Sequence, residues 1–147
     1  AVVNWARRKY GRPLFLGGRS FGGRMASLLL ADETARAHCD VDGLLLLAYP
    51  LKPLGKTEVP AERMEHLGRI GISIIFVSGD RDPFAPPEIL NPVAAIAGAE
   101  VHWIVGGDHS FRVSRAILAS TDRTAADVRD EIAGAVAAFI ANNTSLD

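Results

Sequence analysis

The sequence has little cysteine and no long apolar run, and these two absences narrow the class of protein. Its single cysteine, Cys39, cannot form an internal disulfide, so a reducing compartment is the expected environment. The longest apolar stretch, GLLLLAY at 43–49, has the length of a buried strand. It falls well short of the roughly 18 residues that a membrane span requires. We therefore predict a cytoplasmic protein that has no membrane partner.

An excess of either charge is also missing. The 147 residues contain 16 Lys and Arg against 17 Asp and Glu, a formal net charge of -1. A chain without a basic surplus has no general attraction for nucleic acid or an anionic membrane surface, so neither is predicted as a partner. No group of Cys and His residues has the spacing of metal ligands, and we predict neither a metal nor a cofactor.

Four short apolar runs predict four strands. Their near-continuous hydrophobicity is typical of parallel strands that are covered on both faces. The runs are PLFLG at 13–17, GLLLLAY at 43–49, ISIIFVSG at 72–79 and EVHWIVGG at 100–107.

Helical patterns lie between and after these strands. We predict helices at 21–31, at 60–69, at 87–97 with Pro87 in the first turn and a stop at Gly98, and around the apolar repeat of 128–140. Strand and helix thus alternate along one predicted domain, 1–147. This order predicts a three-layer α/β/α fold with a mostly parallel sheet, in which ligands bind at the carboxyl ends of the strands.

The segment Gly18-Arg19-Ser20-Phe21-Gly22 has the form G-x-S-x-G and joins the first predicted strand to a helix. Such a turn displays a nucleophilic serine on a strained backbone, and the Phe21 N–H at the helix start would face a developing oxyanion. We expect Gly18 and Gly22 to be required because a Cβ there would collide, whereas Gly17 and Gly23 only loosen the packing. The alternatives are a plain glycine turn or a phosphate cradle, although the P-loop ending of Lys and Ser or Thr is missing.

Partners for such a serine follow the third and fourth predicted strands. GDRDPF offers Asp80 and Asp82, and GGDHSF offers His109. A serine nucleophile needs a histidine base and a carboxylate that orients it, in the chain order Ser, Asp, His. All three residue types occur in that order, each in a loop at the carboxyl end of a strand.

Five motifs together resemble one protein family: GGRSFGGRMAS, YPLKPLGK, RMEHL, VSGDRDPF and GGDHSF. They are similar to the compact α/β hydrolases of the testis-expressed and NSL-complex-subunit type, relatives of dienelactone-hydrolase-like proteins, over about residues 2–140. The resemblance implies an α/β-hydrolase fold with Ser20 as nucleophile, His109 as base and Asp82 as the orienting acid. Asp80 is then expected to cap a turn.

We call the strand that leads into the serine turn the elbow strand. The family fold has about four further strands before the elbow strand, and a loop among them supplies its second oxyanion donor. Those strands are missing here, and the sequence begins at Ala1 in a helical pattern without a capping signal. We therefore expect a partial α/β-hydrolase domain that lacks its amino-terminal strands and exposes the first strand as a sheet edge. Either a missing amino-terminal segment or another copy in an oligomer would cover that edge.

The leading hypothesis is a serine hydrolase that cleaves an ester or related acyl bond of a small molecule through an acyl-enzyme. The alternative is a catalytically silent module that keeps the fold for interaction, or a truncated and inactive fragment. Structural roles are expected for the other candidates. Arg63 and His66 are expected on a solvated helix face or packed under the 50–60 loop, and His102 is expected in a strand. His38 and Lys56 are expected at the surface, and Met25, Leu28 and Leu29 in the core.

Overall fold

The computed structural model of the chain describes residues 2–144. Its helices are α1 (Val2–Tyr10), α2 (Phe21–Ala31), α3 (Glu33–Arg36), α4 (Pro87–Ala97), α5 (Arg115–Ser120) and α6 (Ala125–Asn142). Its strands are β1 (Phe15–Arg19), β2 (Gly43–Leu47), β3 (Ser73–Gly79) and β4 (Glu100–Ile104). Two 3-10 turns, Ala61–Arg63 and Leu67–Arg69, lie between β2 and β3. The expectation about Ala1 falls outside the described residues.

The four strands form one parallel sheet in the order β1-β2-β3-β4. Parallel pairing brings the carboxyl ends of all four strands to the same edge of the sheet, and Arg19 at the end of β1 lies beside Leu47 at the end of β2. The predicted α/β architecture is therefore confirmed. No helix within residues 2–144 combines the length and the apolarity that crossing a membrane requires.

A separate hydrophobic core covers each face of the sheet. Alternate side chains of β2 and β3 point to opposite faces, as strand geometry dictates. Leu44, Leu46, Ile74 and Phe76 pack with residues of α2 and α4, whereas Ile75 and Val77 pack with Val128 and Phe139 of α6. The sheet thus forms the middle layer of three.

The helix predicted at 60–69 is wrong, because this segment folds as the two 3-10 turns. Met64 ends the first turn with φ -131°, far from helical values, so no continuous helix forms. The segment is also short and contains Gly68, which weakens any helix.

β1 is an edge strand of the described sheet, because within residues 2–144 it pairs only with β2. Both of its faces are covered, since Leu16 packs against one core and Phe15 against the other. None of its residues is fully buried.

Residues expected in the core lie at the surface of α2 instead. Met25 and Leu29 are 39% and 38% exposed, and Leu28 is half-buried. The buried face of α2 consists of Gly23, Ala26, Ser27 and Leu30. Because three of these side chains are small, this face can approach the sheet closely, while Met25 and Leu29 point away from it.

Candidate active site

Ser20 is the only residue between β1 and α2, and its backbone makes the sharp turn between them. Its φ of 52° and ψ of -120° lie in a region that residues with a Cβ rarely adopt, at a cost on the order of 1–3 kcal/mol. The Ser20 N–H donates to the carbonyl oxygen of Leu47 at 2.8 Å, which ties the turn to the end of β2. The strained serine is thereby held at the carboxyl edge of the sheet.

The close packing of this turn lies between Gly18 and Gly23. A Cβ on Gly18 would come within 2.5 Å of backbone atoms of Gly22 and Gly23, and one on Gly23 within 2.7 Å of the Gly18 carbonyl oxygen. A Cβ on Gly22 would meet nothing within 4 Å. The steric role expected of Gly22 therefore belongs to Gly23, because the first turn of α2 directs Gly23 toward β1 and leaves Gly22 exposed.

The loops after β3 and β4 are held together by close backbone contact. A Cβ on Gly79, the last residue of β3, would lie 2.1 Å from the Gly107 carbonyl oxygen. That same oxygen accepts a hydrogen bond from the Arg81 N–H at 3.0 Å. The Asp80 carboxylate accepts from the Gly106 N–H at 2.7 Å, the turn-capping contact expected of this residue. The two loops that carry Asp82 and His109 are thus fixed to one another.

Ser20, His109 and Asp82 form one hydrogen-bonded chain. The Ser20 Oγ lies 2.9 Å from His109 Nε2, and His109 Nδ1 lies 2.7 Å from Asp82 Oδ2. Because an ionised carboxylate can only accept, Nδ1 carries a proton toward Asp82, and Nε2 of the neutral ring can accept the serine proton. The three predicted residues, which are far apart in the sequence, therefore meet at one edge of the sheet.

The surroundings fix the carboxylate and the imidazole. The Asp82 side chain is fully buried, and its Oδ1 accepts from the Phe84 N–H at 2.9 Å. The Phe84 ring lies against the His109 ring with 4.6 Å between centroids. Arg19 donates to the His109 carbonyl oxygen at 2.7 Å and holds this loop against the end of β1. Sequence reasoning missed Arg19 and Phe84, although both lie inside the motifs that carry the resemblance.

The amide of Phe21 opens α2 and lies directly after Ser20. Within residues 2–144 it donates to no other protein group, and the Ser20 side chain does not cap the helix. The first N–H groups of a helix lack partners inside the helix and carry partial positive charge. This end of α2 is therefore able to stabilise negative charge beside Ser20.

A second serine and histidine pair lies beneath α2. Ser27 Oγ lies 2.8 Å from His66 Nε2, and the Tyr49 hydroxyl lies 3.3 Å from Ser27 Oγ. Tyr49 donates in turn to the carbonyl oxygen of Arg63 at 3.0 Å. We call Ser27, Tyr49 and His66 the buried polar cluster. His66 is only 4% exposed, so a solvated helix face is wrong for it. Its side chain packs beneath α2 against Ser27 and Tyr49.

Burial controls ionisation in the buried polar cluster. It lowers the pKa of His66 from the usual 6.5, and the positive charges of Arg69 and Arg24 lower that pKa further. Burial likewise raises the pKa of Tyr49, against smaller opposing effects of the Ser27 hydrogen bond and of the charges on Arg24 and Arg63. Both groups are neutral near pH 7.

The remaining sequence candidates take structural positions. His102 on β4 lies 3.3 Å from Glu131 of α6, and His38 and Lys56 are exposed. In the part of the chain that the structure describes, no group of His, Cys, Asp and Glu side chains could hold a metal ion.

Comparison with known proteins identifies the family. The family model described as an alpha/beta hydrolase domain matches residues 1–141. The chain therefore belongs to the α/β-hydrolase family.

Solved structures share the fold at low sequence identity. An alpha-beta serine hydrolase homologue from Coxiella burnetii is 21% identical, with a TM-score of 0.55 over 74% of this chain and 47% of that one. A protein of unknown function from Agrobacterium tumefaciens is 13% identical, with a TM-score of 0.60 over 99% of this chain and 61% of that one. The esterase domain of a Rhodothermus marinus protein is 13% identical, with a TM-score of 0.53 over 76% of this chain and 58% of that one. The chain thus spans about half the length of these structures.

Proposed function

We propose that this α/β-hydrolase-family chain is a serine hydrolase that cleaves an ester or a related acyl bond. The observation that carries the proposal is the hydrogen-bonded chain from Ser20 Oγ through His109 to Asp82. It begins at a serine on a strained turn at the amino terminus of a helix. A nucleophile, a base and an orienting carboxylate in this arrangement are the requirements of acyl transfer.

Acylation begins when Ser20 Oγ attacks the carbonyl carbon and its proton passes to His109 Nε2. The new C–O bond converts the carbonyl oxygen to an oxyanion, while Asp82 stabilises the imidazolium through Nδ1. Collapse of the tetrahedral intermediate breaks the bond to the leaving group, which takes the proton from Nε2. The product of this half-reaction is an acyl group on Ser20 and a free alcohol, or an amine from an amide.

Deacylation repeats these steps with water. His109 Nε2 removes a proton from water as the oxygen attacks the acyl carbonyl, and the imidazolium then returns the proton to Ser20 Oγ. The free acid leaves, and the starting protonation states are restored. No redox step occurs.

The Phe21 N–H is proposed as an oxyanion donor. It directly follows Ser20 and has no competing acceptor within residues 2–144. Removal of one such donor typically lowers turnover by about 10² to 10³-fold. In the resembling family a second donor lies on a loop before the elbow strand.

The finer family assignment also remains a proposal. A cytoplasmic location, based on the single cysteine and the short apolar runs, and a small acyl substrate are further proposals. The motifs favour the testis-expressed and NSL-complex-subunit type, which resembles dienelactone-hydrolase-like proteins. The five motifs quoted from the sequence support this assignment.

The hydrolase proposal is tested with a fluorophosphonate probe, which phosphonylates activated serines. We expect the 147-residue chain to be labelled, and the Ser20→Ala and His109→Ala variants to remain unlabelled. Ser110→Ala is the matched control because Ser110 is exposed beside His109, and it should be labelled like the wild type. A chain that is folded by circular dichroism and takes up no label would contradict the proposal.

A second candidate function is a catalytically silent interaction module. Two observations favour it: within residues 2–144 β1 pairs on one side only, and Phe21, Met25 and Leu29 expose an apolar face of α2 beside it. Exposed strand edges and apolar patches are typical of surfaces that another polypeptide covers. This function predicts tight association with a partner and no labelling of Ser20, either alone or in the complex.

A further inference from the structure

The loop that carries His109 has to cross the sheet before its imidazole can reach Ser20. Ser20 follows β1 and His109 comes after β4, and these two strands lie at opposite edges of the described sheet. Neighbouring strands are about 4.8 Å apart, so the two loops leave the sheet roughly 14 Å from one another. The position of His109 Nε2 therefore depends on what holds the tip of the loop after β4.

The tip of this loop, residues 108–112, is a turn that closes on itself, and we call it the histidine turn. The Asp108 carboxylate accepts from the N–H groups of Ser110 and Arg112, at 2.7 and 2.9 Å. The Asp108 carbonyl oxygen accepts from the Phe111 N–H at 2.8 Å, and its own N–H donates to the Arg112 carbonyl oxygen at 3.0 Å. These bonds fix the shape of the histidine turn, but none of them fixes its position over the sheet.

Arg19, the last residue of β1, supplies a bond from outside the turn. Among residues 2–144 it is the one residue beyond the histidine turn that hydrogen-bonds the main chain of the turn. Arg19 Nη2 donates to the His109 carbonyl oxygen at 2.7 Å and to Ser110 Oγ at 3.2 Å. The two hydrogens on this nitrogen are sufficient for both bonds. The shorter bond thus holds the main chain of the base itself.

The charge of Arg19 has no competing acidic partner in the described part of the chain. Three other arginines form ion pairs with Asp or Glu: Arg7, Arg12 and Arg123. Both side-chain hydrogen bonds of Arg19 instead go to the histidine turn. A hydrogen bond from a charged donor is roughly twice as strong as one between neutral groups. The guanidinium charge therefore strengthens the bond to the His109 carbonyl oxygen.

His109 is consequently held at two points by two different strands. Asp82, which follows β3, accepts at Nδ1, but a bond at one ring atom does not by itself fix the direction of Nε2. Arg19 holds the main chain of the same residue from the end of β1. Because Arg19 directly precedes Ser20, this second anchor is built on the backbone that carries the nucleophile.

We propose that Arg19 is a positioning residue for the base: it clamps the histidine turn to the end of β1 and keeps His109 Nε2 within hydrogen-bond reach of Ser20 Oγ. The proposal rests on the hydrolase function proposed above. The side-chain hydrogen bonds of Arg19 reach neither Ser20 Oγ nor the imidazole, so it acts through the position of the base. A displacement of about 1 Å between reacting groups can lower a rate about 100-fold, which makes such a clamp matter for turnover.

The clamp is measured first by amide hydrogen exchange, because this measurement requires no turnover. Peptides that cover the histidine turn are compared between the wild-type 147-residue chain and Arg19→Gln. We expect about 10-fold faster exchange in the turn of the variant, the change expected when a hydrogen bond from a charged group is lost, and unchanged exchange in β2 and β3. Arg115→Gln removes the same charge from an exposed site on α5 and should exchange like the wild type. An unchanged turn in Arg19→Gln, or an equal increase throughout the sheet, would overturn the clamp.

Kinetics then tests the consequence for the base. With the neutral ester 4-nitrophenyl butyrate, Arg19→Gln should lower kcat about 10-fold and leave KM within about 3-fold, because the clamp positions the base and does not bind the ester. Arg19→Lys keeps a charged donor and should recover part of the lost kcat. A raised KM with an unchanged kcat would identify a substrate-binding residue instead and would overturn the proposal. Equal kcat values for Arg19→Gln and Arg19→Lys would contradict a charged clamp.

Failure of the clamp and failure of the hydrolase proposal are distinguishable. If the wild type hydrolyses no ester and takes up no fluorophosphonate, the hydrolase proposal fails, and the exchange result alone decides whether Arg19 holds the histidine turn. If the wild type is active and Arg19→Gln matches it in both exchange and kcat, only the clamp fails. Circular dichroism checks the fold of every variant.

Discussion

Residues 2–144 contain two serine and histidine pairs with nearly the same spacing, and only one of these pairs has the surroundings of a nucleophile. Ser20 Oγ lies 2.9 Å from His109 Nε2, and Ser27 Oγ lies 2.8 Å from His66 Nε2. Distance therefore does not distinguish the two. The differences lie in the backbone that carries each serine and in the groups behind each histidine.

Behind His109 lies the buried carboxylate of Asp82, whereas His66 Nδ1 is buried with no partner in the described part of the chain. Ser20 is displayed on a strained turn, whereas Ser27 lies on the buried face of α2 and donates to its own helix at the Arg24 carbonyl oxygen. A charge that develops on His109 is stabilised, and one on His66 is opposed by burial and by nearby arginines. A Ser–His contact is therefore a candidate catalytic pair only when a carboxylate holds the other nitrogen of the histidine and the backbone displays the serine.

The largest expected difference is in the rate of ester hydrolysis when each of the two serines is replaced by alanine. Ser20→Ala should lower ester hydrolysis by about 10⁴-fold or more, because the nucleophile is lost. Ser27→Ala should leave the rate within about 3-fold and instead lower the free energy of unfolding by about 1–3 kcal/mol, because His66 Nε2 loses its 2.8 Å partner and keeps only the 3.4 Å contact with Tyr49. Steady-state kinetics and urea denaturation measure the two effects. Equal loss of activity in both variants would contradict the distinction.

The next test removes the charge behind His109. Asp82→Asn should lower the rate by up to about 10⁴-fold, because an amide no longer stabilises the imidazolium and favours the wrong tautomer. Asp80→Asn is the matched control: its side-chain oxygen can still accept from the Gly106 N–H, so activity should remain within a few-fold of the wild type. A rate for Asp82→Asn close to that of the control would show that His109 works without its carboxylate.

The backbone beneath Ser20 is tested with two alanines. Gly18→Ala should destabilise the fold by about 4 kcal/mol or more, because its Cβ would lie 2.5 Å from the backbone of α2. Gly22→Ala should be neutral or raise the free energy of unfolding by about 0.5–1 kcal/mol, since this position has open space and alanine favours a helix. Thermal and urea unfolding measure the free energy of unfolding of both variants. A similar loss at the two positions would contradict the packing described for Gly18 and Gly22.

The smallest effect concerns the acid sensitivity of the buried polar cluster. The pKa of His66 is lowered in the folded chain because burial, Arg69 and Arg24 disfavour its charged form. As pH falls below the ordinary histidine value of 6.5, the unfolded chain binds a proton that folded His66 does not, so stability declines. His66→Asn should therefore show a shallower loss of the free energy of unfolding between about pH 6.5 and 5 than the wild type. An unchanged slope in His66→Asn would contradict this role.

Local signals in the sequence were sufficient for much of the fold and for the placement of the candidate site. Helix α4 follows from Pro87 and from the stop at Gly98, which adopts a left-handed φ of 62°. Parallel strands bring their carboxyl ends to one edge, so Ser20, His109 and the two carboxylates Asp80 and Asp82 could be placed at that edge from the predicted strands. The choice of Asp82 over Asp80 came from the family resemblance. Their catalytic roles remain predictions.

The missed features depend on how distant segments pack. The buried polar cluster joins residues 22 and 39 positions apart, and no local pattern specifies such a contact. The steric role predicted for Gly22 belongs to Gly23, because it depends on which side of the first helical turn faces β1. Met25 and Leu29 are apolar and in helical register, yet the small residues beside them form the buried face. Composition alone cannot tell which face of α2 meets the sheet.

The central claim is that Ser20 is the activated serine, and mapping of a covalent label tests it most directly. The wild-type chain is treated with a fluorophosphonate, digested, and the modified serine identified by tandem mass spectrometry. We predict modification at Ser20, with Ser27 unmodified and with labelling abolished by His109→Ala but retained in His66→Asn. Modification at Ser27, or an absence of label on a folded chain, would contradict it.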